Sequence, residues 1–271
     1  MRRVVLSLLC AFSLLLTVPA TANAGTSPPL PRSMAAIGDS MTQAADACCW
    51  YGDHPANSWS TGSASWDGVS SHYERIRALN GAISGNAYND SKSGARMNAA
   101  PAQASTAVAQ GVHYVTILMG ANDICTSSPS TMTSVSTFRQ DYQRALATLD
   151  AGLPGRARIF VASIPDIYQL WQIYHTDLAA QFVWDVADIC QSMLSASRTE
   201  AERQAVRQRN IEVNAVLQQE CAKYSRCKFD GNAVFNYQFS RSQVSKLDYF
   251  HPSLSGQATL ASVTWAKSWW G

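Results

Sequence analysis

Four short segments of the sequence carry residues that together could perform acyl transfer. The segments are Gly38-Asp39-Ser40, Gly94, Gly120-Ala121-Asn122-Asp123 and Asp248-Tyr249-Phe250-His251. Ser40 is a candidate nucleophile, and His251 is a candidate base that would take its proton. Asp248 lies three residues before His251, a spacing at which a turn can bring its carboxylate against the imidazole. Such a carboxylate orients the base and stabilises the imidazolium formed during attack.

The same segments also supply donors for the oxyanion that forms in acyl transfer. The backbone N–H of Ser40 is one predicted donor. The N–H of Gly94 is a second, because glycine lets the backbone approach a ligand closely. The side-chain amide of Asn122 is the third, since it donates without carrying a charge. We interpret Asp39 and Asp123 as supports of their loops rather than as reacting groups.

The elements that must position these residues follow from the hydrophobic pattern. Residues 34–37 form a short apolar strand that ends at Gly-Asp-Ser, and residues 112–119 form a clearer strand that ends at Gly120. Further strands are predicted over 80–87, 158–164 and 228–235, and helices over 137–149, 199–224 and 255–269. This alternation predicts an α/β fold with a parallel sheet covered on both faces. Ser40 and Asn122 should then share its carboxyl edge, where such sheets bind ligands.

With these blocks in this order, the chain resembles the SGNH hydrolases, the GDSL-type lipase and esterase family, in their secreted bacterial form. The family name stands for Ser, Gly, Asn and His, which correspond here to Ser40, Gly94, Asn122 and His251. Met41 replaces the leucine of the GDSL name, a volume-conserving exchange. The resemblance covers residues 37–256. It implies a three-layer α/β/α fold with a flavodoxin-like parallel sheet, and a serine placed without the nucleophile elbow of the α/β-hydrolases.

The first 24 residues have the pattern of a secretory signal peptide. Arg2 and Arg3 precede an apolar run over residues 4–18, and Ala22-Asn23-Ala24 is typical of a cleavage site. The alternative is an uncleaved membrane anchor, for which the apolar run is short. We therefore predict a secreted, extracellular protein in which residues 25–271 form a single hydrolase domain.

Composition restricts the partners of that domain. Without Arg2 and Arg3, the 21 Lys and Arg residues fall to 19 and equal the 19 Asp and Glu residues. A net charge near zero argues against nucleic acid or an anionic membrane surface as the main partner. No later apolar run is long enough for a membrane helix, so we expect no stable membrane insertion. The predicted protein is a monomer that binds an ester substrate and needs no cofactor.

Six cysteines remain beyond the signal peptide, an even number typical of disulfides in a secreted protein. They are Cys48, Cys49, Cys125, Cys190, Cys221 and Cys227. The last two enclose a short loop and are a natural pair, and the middle two could then join two loops. The adjacent first two either form a vicinal bond or belong to a different pairing. No cysteine pair has C-x-x-C spacing and no histidine lies at a regular ligand distance, so we predict no metal site.

Two groups of aromatic residues follow predicted strands, and they are compatible with more than one kind of ester substrate. The groups are Trp50, Tyr51, Trp59, Trp66 and Tyr73, and Tyr168, Trp171, Tyr174, Phe182 and Trp184. They indicate either a binding wall for an acyl chain or a sugar ring, or a satellite core beneath long loops. The substrate is accordingly a lipid or aliphatic ester, or else an acetyl ester of a polysaccharide. A non-catalytic secreted binding protein is the alternative from another class, and the intact set of Ser, Gly, Asn, Asp and His counts against it.

Four further histidines stand outside the proposed set: His54, His72, His113 and His175. His113 falls within a predicted strand and is interpreted as a satisfied sheet or core residue. His54 and His175 sit among aromatics in long loops, where surface or packing roles are expected.

Overall fold

A computed structural model describes residues 27–271, and the predicted signal peptide lies outside the described residues. Five parallel strands form one sheet in the order β2-β1-β3-β4-β5. They are β1 (Met34–Gly38), β2 (Ala87–Asn89), β3 (Tyr114–Leu118), β4 (Arg158–Val161) and β5 (Cys227–Phe229). This is the flavodoxin-like order of a doubly wound sheet, so the predicted fold class is confirmed.

Helices cover both faces of the sheet. The longer ones are α1 (His72–Leu79), α2 (Ala100–Ala109), α4 (Val135–Gly152), α6 (Leu178–Val186), α8 (Glu200–Cys221) and α10 (Leu254–Trp265). The shorter ones are α3 (Ala121–Ile124), α5 (Tyr168–Tyr174), α7 (Gln191–Leu194) and α9 (Ala233–Asn236). Right-handed crossovers place the side-by-side helices α2, α4 and α8 on one face and α1 on the other. Helix α10 lies against α1, where the rings of His72 and Trp265 make an edge contact.

The central strands explain why the sequence there is almost continuously apolar. Every residue of β1 and β3 is buried, because helices cover the sheet on both sides. The two strands pair in register from Met34 with Tyr114 to Gly38 with Leu118. Both strands therefore end together, and the segments that follow them emerge at one edge.

The element boundaries correct several sequence predictions. The strand predicted over 80–87 is wrong in place: the side chain of Asn80 accepts from the N–H of Ala82, residues 81–83 form a 3₁₀ turn, and pairing begins only at Ala87. The strand over 158–164 stops at Val161, because the side chain of Asn214 bonds both the N–H and the C=O of Ile164. Residues 233–236 of the predicted last strand are helical instead.

The three predicted helices exist with shifted ends. A capping box begins α8: Glu202 accepts from the Thr199 N–H and donates its own N–H to the Thr199 hydroxyl. His113 lies directly before β3 rather than inside it, and both its N–H and its ring bond Ser33. None of the helices within residues 27–271 combines the length and apolar character needed to cross a bilayer.

Three disulfides join the six cysteines. Cys221 pairs with Cys227 and Cys125 pairs with Cys190, as the spacing suggested. The adjacent Cys48 and Cys49 form a vicinal disulfide in the loop that follows the Gly-Asp-Ser segment. That loop therefore carries its own covalent constraint within ten residues of Ser40.

Candidate active site

The Gly-Asp-Ser segment turns sharply where β1 ends. A side chain at Gly38 would come within 2.7 Å of the carbonyl oxygen of Leu118 at the end of β3, so only glycine fits there. Gln103 of α2 holds the Gly38 backbone by accepting from its N–H at 2.8 Å and donating to its C=O at 3.0 Å. The carboxylate of Asp39 accepts from the Met41 N–H at 3.0 Å, in agreement with its interpretation as a support of the turn. Ser40 is thereby presented at the carboxyl edge.

Ser40, His251 and Asp248 form one hydrogen-bonded series. The hydroxyl of Ser40 lies 2.7 Å from Nε2 of His251, although the two residues are 211 positions apart in the chain. On the other side of the ring, Nδ1 contacts Oδ2 of Asp248. Oδ1 of Asp248 accepts from the N–H groups of Phe250 and His251 at 2.9 and 3.1 Å. The turn thus fixes the carboxylate, and the geometry fits an imidazole with its proton on Nδ1.

The electrostatics of this series favour a charged imidazole. Burial opposes the imidazolium of His251, but Asp248, Asp46 and Asp39 outweigh it and raise the pKa of His251. Burial alone would raise the pKa of Asp248, yet its hydrogen bond and charge contact with His251 hold that pKa below its usual range. Burial raises the pKa of Asp39 to about 6. The His–Asp pair can therefore accept a proton from a hydroxyl and stabilise the resulting charge.

The donors predicted for the oxyanion lie around one open cleft beside Ser40. Gly94 has φ of +78°, a left-handed conformation that favours glycine. Within the described part of the chain, the N–H groups of Ser40 and Gly94 have no protein acceptor. The amide of Asn122 gives one hydrogen to the carbonyl of Ala95 at 2.9 Å, which orients the group and leaves its second hydrogen available. Ser40, Gly94, Asn122 and His251 all line the cleft, whose volume is about 510 Å³.

Asp123, next to Asn122, acts as a loop support. Its carboxylate accepts from the Met97 N–H at 2.8 Å, and its own carbonyl accepts from the Thr133 N–H at 2.9 Å. These bonds join the Asn122 segment to the loop that begins with Gly94. The two halves of the predicted oxyanion hole are therefore tied together by Asp123.

Sequence reasoning missed one residue of the site, Asp46. Its Oδ2 lies 3.8 Å from Nδ1 of His251, on the same side of the ring as Asp248. Nothing in the spacing of the sequence marks Asp46, because it reaches His251 only through the fold. Within residues 27–271, Asp46, Asp248 and His251 are also the only set of metal-ligand types whose atoms lie within 4.8 Å of one another. Nδ1 is already used by the contact with Asp248, and Asp46 stands beside this pair at ion-pair distance.

The aromatic groups are divided between the two interpretations made from the sequence. Four members are buried and belong to the core: Trp59, Tyr73, Tyr174 and Trp184. Trp50, Tyr51 and Trp66 are each 67% exposed. Of these, Tyr51 lines the cleft, and its hydroxyl donates to the carbonyl of Leu247 in the His251 loop at 3.0 Å. Both groups therefore contribute side chains to the core, and the group that follows β1 also contributes Tyr51 to the wall of the cleft.

A second, smaller pocket lies behind the cleft. Met41, Ala121 and Phe250 line it, and each is the chain neighbour of a residue proposed for the site. Other walls come from the apolar side chains of Ile167, Leu170, Ile173, Phe239 and Val244. Phe250 lines both the pocket and the cleft, so the two cavities share this residue. The volume of this apolar pocket is about 50 Å³.

Doubly wound α/β proteins bind their ligands at the carboxyl ends of the strands. The polar cleft of this chain lies at that edge of its sheet. The model of the GDSL-like Lipase/Acylhydrolase family matches residues 34–263, and the chain belongs to this family. It is accordingly a carboxylic ester hydrolase. A comparison with curated proteins finds no match to the sequence.

Solved structures share the fold at low sequence identity. One is an acetyl xylan esterase, with 12% identity and a TM-score of 0.53 over 86% of this chain and 98% of that chain. Another is a family 3 carbohydrate esterase from Clostridium thermocellum, with 12% identity and a TM-score of 0.52 over 87% and 94% of the two chains. A third is a G-D-S-L family lipolytic protein from Veillonella parvula, with 12% identity and a TM-score of 0.51 over 86% and 96%. At this identity the likeness concerns the fold alone.

Proposed function

We propose that the protein is a secreted serine esterase that hydrolyses carboxylic esters through Ser40, His251 and Asp248. Ser40 attacks the ester carbonyl while His251 takes its proton at Nε2, and Asp248 orients the imidazole. The N–H groups of Ser40 and Gly94 and the amide of Asn122 bind the oxyanion. His251 then protonates the leaving alcohol. Water repeats the cycle on the acyl-enzyme and releases the acid.

The observation that carries this proposal is the contact between Ser40 and His251. A serine hydroxyl is a weak nucleophile unless a base lies within hydrogen-bond reach. Here the two atoms are 2.7 Å apart, and the imidazole is held on its far side by a buried carboxylate. Secretion is supported by the pattern of residues 1–24 and by three disulfides, which persist in oxidising compartments.

Replacement of the nucleophile tests the proposal directly. We expect Ser40→Ala to lower kcat/KM for a p-nitrophenyl ester by about 10³-fold or more, with an unchanged unfolding temperature. Ser105→Ala is the matched control, because Ser105 is exposed on α2 and bonds only the carbonyl of Pro101. A fluorophosphonate should label the wild type and the control at one serine and leave Ser40→Ala unlabelled. An active Ser40→Ala enzyme would refute the assignment, and absence of labelling in the wild type would favour a binding protein.

The two cavities support an ester with a short acyl group. The apolar pocket of about 50 Å³ is small, and its size and lining suit a short acyl group rather than a long chain. The cleft is some ten times larger, is open, and has both Tyr51 and polar groups on its walls. We propose that the acyl group occupies the pocket beside Phe250 and the alcohol occupies the cleft. An acetylated polysaccharide satisfies both conditions and is the second candidate.

Values of kcat/KM for p-nitrophenyl esters from acetyl to dodecanoyl show how long an acyl chain the pocket accepts. We expect kcat/KM to be highest at about two to four acyl carbons and to fall for longer chains. Phe250→Ala should shift the optimum to longer chains, because it removes a large side chain that lines both the pocket and the cleft. Highest activity on dodecanoyl esters would instead identify a lipase, and acetyl-only activity would identify a deacetylase.

A further inference from the structure

Asp46 brings a second carboxylate to His251. Oδ2 of Asp46 is 3.8 Å from Nδ1, too far for a hydrogen bond but within ion-pair distance. The side chains of Asp46 and His251 are each only 15% exposed, and that of Asp248 is 6% exposed. A charge interaction between such partly buried groups is screened less than one at the surface. His251 therefore has a second carboxylate on the same side of its ring as the one that it hydrogen-bonds.

The position of Asp46 is held by the backbone and by the His251 loop. Its Oδ1 accepts from the Gly52 N–H at 2.7 Å, and its own N–H donates to the Gly52 carbonyl at 2.8 Å. Its carbonyl accepts from the hydroxyl of Ser245 at 2.5 Å, while the N–H of Ser245 donates to the carbonyl of His251. Asp46 also has φ of +53°, which a chance surface residue rarely adopts. These bonds aim Oδ2 at the imidazole.

The groups facing the imidazole come from three parts of the chain. Asp248 belongs to the same turn as His251, Asp46 to the loop after β1, and Asp39 to the end of β1 itself. All three are acids. Asp46 in turn faces Asp248 and His251; burial and the charge of Asp248 raise its pKa, while its bond from Gly52 acts in the opposite direction.

We propose that Asp46 is a positioning residue that acts as a second orienting carboxylate for His251. It stabilises the imidazolium formed when Ser40 gives up its proton, and it takes over part of this task when Asp248 is neutral or absent. No proton passes to Asp46 in this role. The inference rests on the proposed function, because it assigns Asp46 to the same base.

The first test is the pH profile of Asp46→Asn. The amide can still accept from Gly52, so the loop keeps its contact while the charge is lost. Removing a carboxylate that raises the pKa of His251 should shift the acid limb of kcat/KM to lower pH by about 0.5–1 unit. Asp46→Gly, which tolerates the positive φ, should give the same shift and guards against a folding defect in the first variant. Asp150→Asn, which removes one exposed charge near the end of α4 that leads back to the amino edge of the sheet, is the control and should not shift the limb.

The second test combines the two carboxylates. We expect Asp46→Asn to lower kcat/KM by about 3–10-fold, and Asp248→Asn to lower it by about 10²–10³-fold because Asp46 still orients the ring. In the Asp248→Asn background, Asp46→Asn should cost at least another ~10-fold, more than it costs alone. Equal costs in both backgrounds, or an acid limb that stays in place, would overturn the proposal.

The outcomes separate this inference from the proposed function. If Ser40→Ala destroys activity but Asp46→Asn and Asp46→Gly behave like the control, the esterase assignment stands and only the role of Asp46 fails. If Ser40→Ala remains active, the proposed function itself fails. Unfolding temperatures of every variant exclude a loss of fold as the cause of either result.

Discussion

His72 and His251 both contact hydroxyl groups, but their surroundings are electrically opposite. His72 is fully buried at the start of α1, with its two ring nitrogens 2.9 Å from the Tyr114 hydroxyl and 2.8 Å from the Thr264 hydroxyl. His251 has one nitrogen at the Ser40 hydroxyl and the other at a carboxylate. His72 lies in the helical layer that covers one face of the sheet, whereas His251 lies at the carboxyl edge of the sheet.

The pKa directions follow from the partners. Burial, with a smaller effect from Arg75, lowers the pKa of His72 to about 3, because neither neutral partner compensates a buried charge. His251 also suffers from burial, but the nearby carboxylates reverse the outcome and raise its pKa. A contact between a histidine and a hydroxyl therefore does not by itself define a base. The carboxylate at Nδ1 of His251, which His72 lacks, allows the imidazole to carry a charge.

The largest expected effect concerns catalysis. His251→Gln should lower kcat/KM for a short-chain ester by about 10⁴–10⁶-fold, because among residues 27–271 only His251 lies within hydrogen-bond reach of the Ser40 hydroxyl. His72→Phe should leave the rate per folded molecule within about twofold. Circular dichroism and an unfolding curve for each variant give the folded fraction. An equal loss of rate in both variants would break the distinction between the two histidines.

The next effect concerns stability. His72→Phe should lower the free energy of unfolding by about 1–3 kcal/mol, because the Tyr114 hydroxyl loses its hydrogen-bond partner in the core. Thr264 is less affected, since its hydroxyl also bonds the carbonyl of Leu260. Urea unfolding followed by fluorescence measures the change.

The double variant His72→Phe/Tyr114→Phe is the matched control for that stability change. It removes both partners and should regain part of the lost free energy, because no buried polar group is left unpaired. If the second replacement instead adds its full cost, the hydrogen bond between the two residues contributes little.

The smallest effect is a dependence on pH. The unfolded chain binds a proton at His72 below about pH 6.5, whereas the folded chain does so only near pH 3. The advantage of the wild type over His72→Phe should therefore be complete above about pH 6.5 and should shrink by about 1 kcal/mol between pH 6.5 and pH 5.5. Asp39, whose raised pKa acts in the opposite direction, is present in both proteins and cancels in the difference. A difference that does not vary with pH would show that the pKa of His72 is the same in the folded and the unfolded chain.

Much of the fold could be predicted from local patterns. The apolar runs before Gly-Asp-Ser and Gly120 located β1 and β3, and their alternation with helices indicated the parallel sheet. The ends of elements were less predictable. Side chains from distant segments decide them, as Asn214 does where it bonds the backbone of Ile164 after β4.

The candidate site was predictable to the same extent. Ser40, Gly94, Asn122, Asp248 and His251 could be named from their blocks, because each block is a short turn with its own sequence signature. Asp46 could not be named, since its approach to His251 depends on hydrogen bonds between the loop after β1 and the turn before α10. The burial of His72 was equally invisible, because it results from the packing of α1 against α10.

The sequence by itself determined the family, the parallel α/β architecture and the identity of the candidate nucleophile and base. These depend on residue types within single turns and strands. Only the tertiary structure decided which distant groups meet: Ser40 with His251 across 211 positions, and a second acid beside the imidazole. Such contacts depend on how strands align and loops return to one sheet edge. The size of the apolar pocket beside Phe250 belongs to the same category, because walls from several loops enclose it.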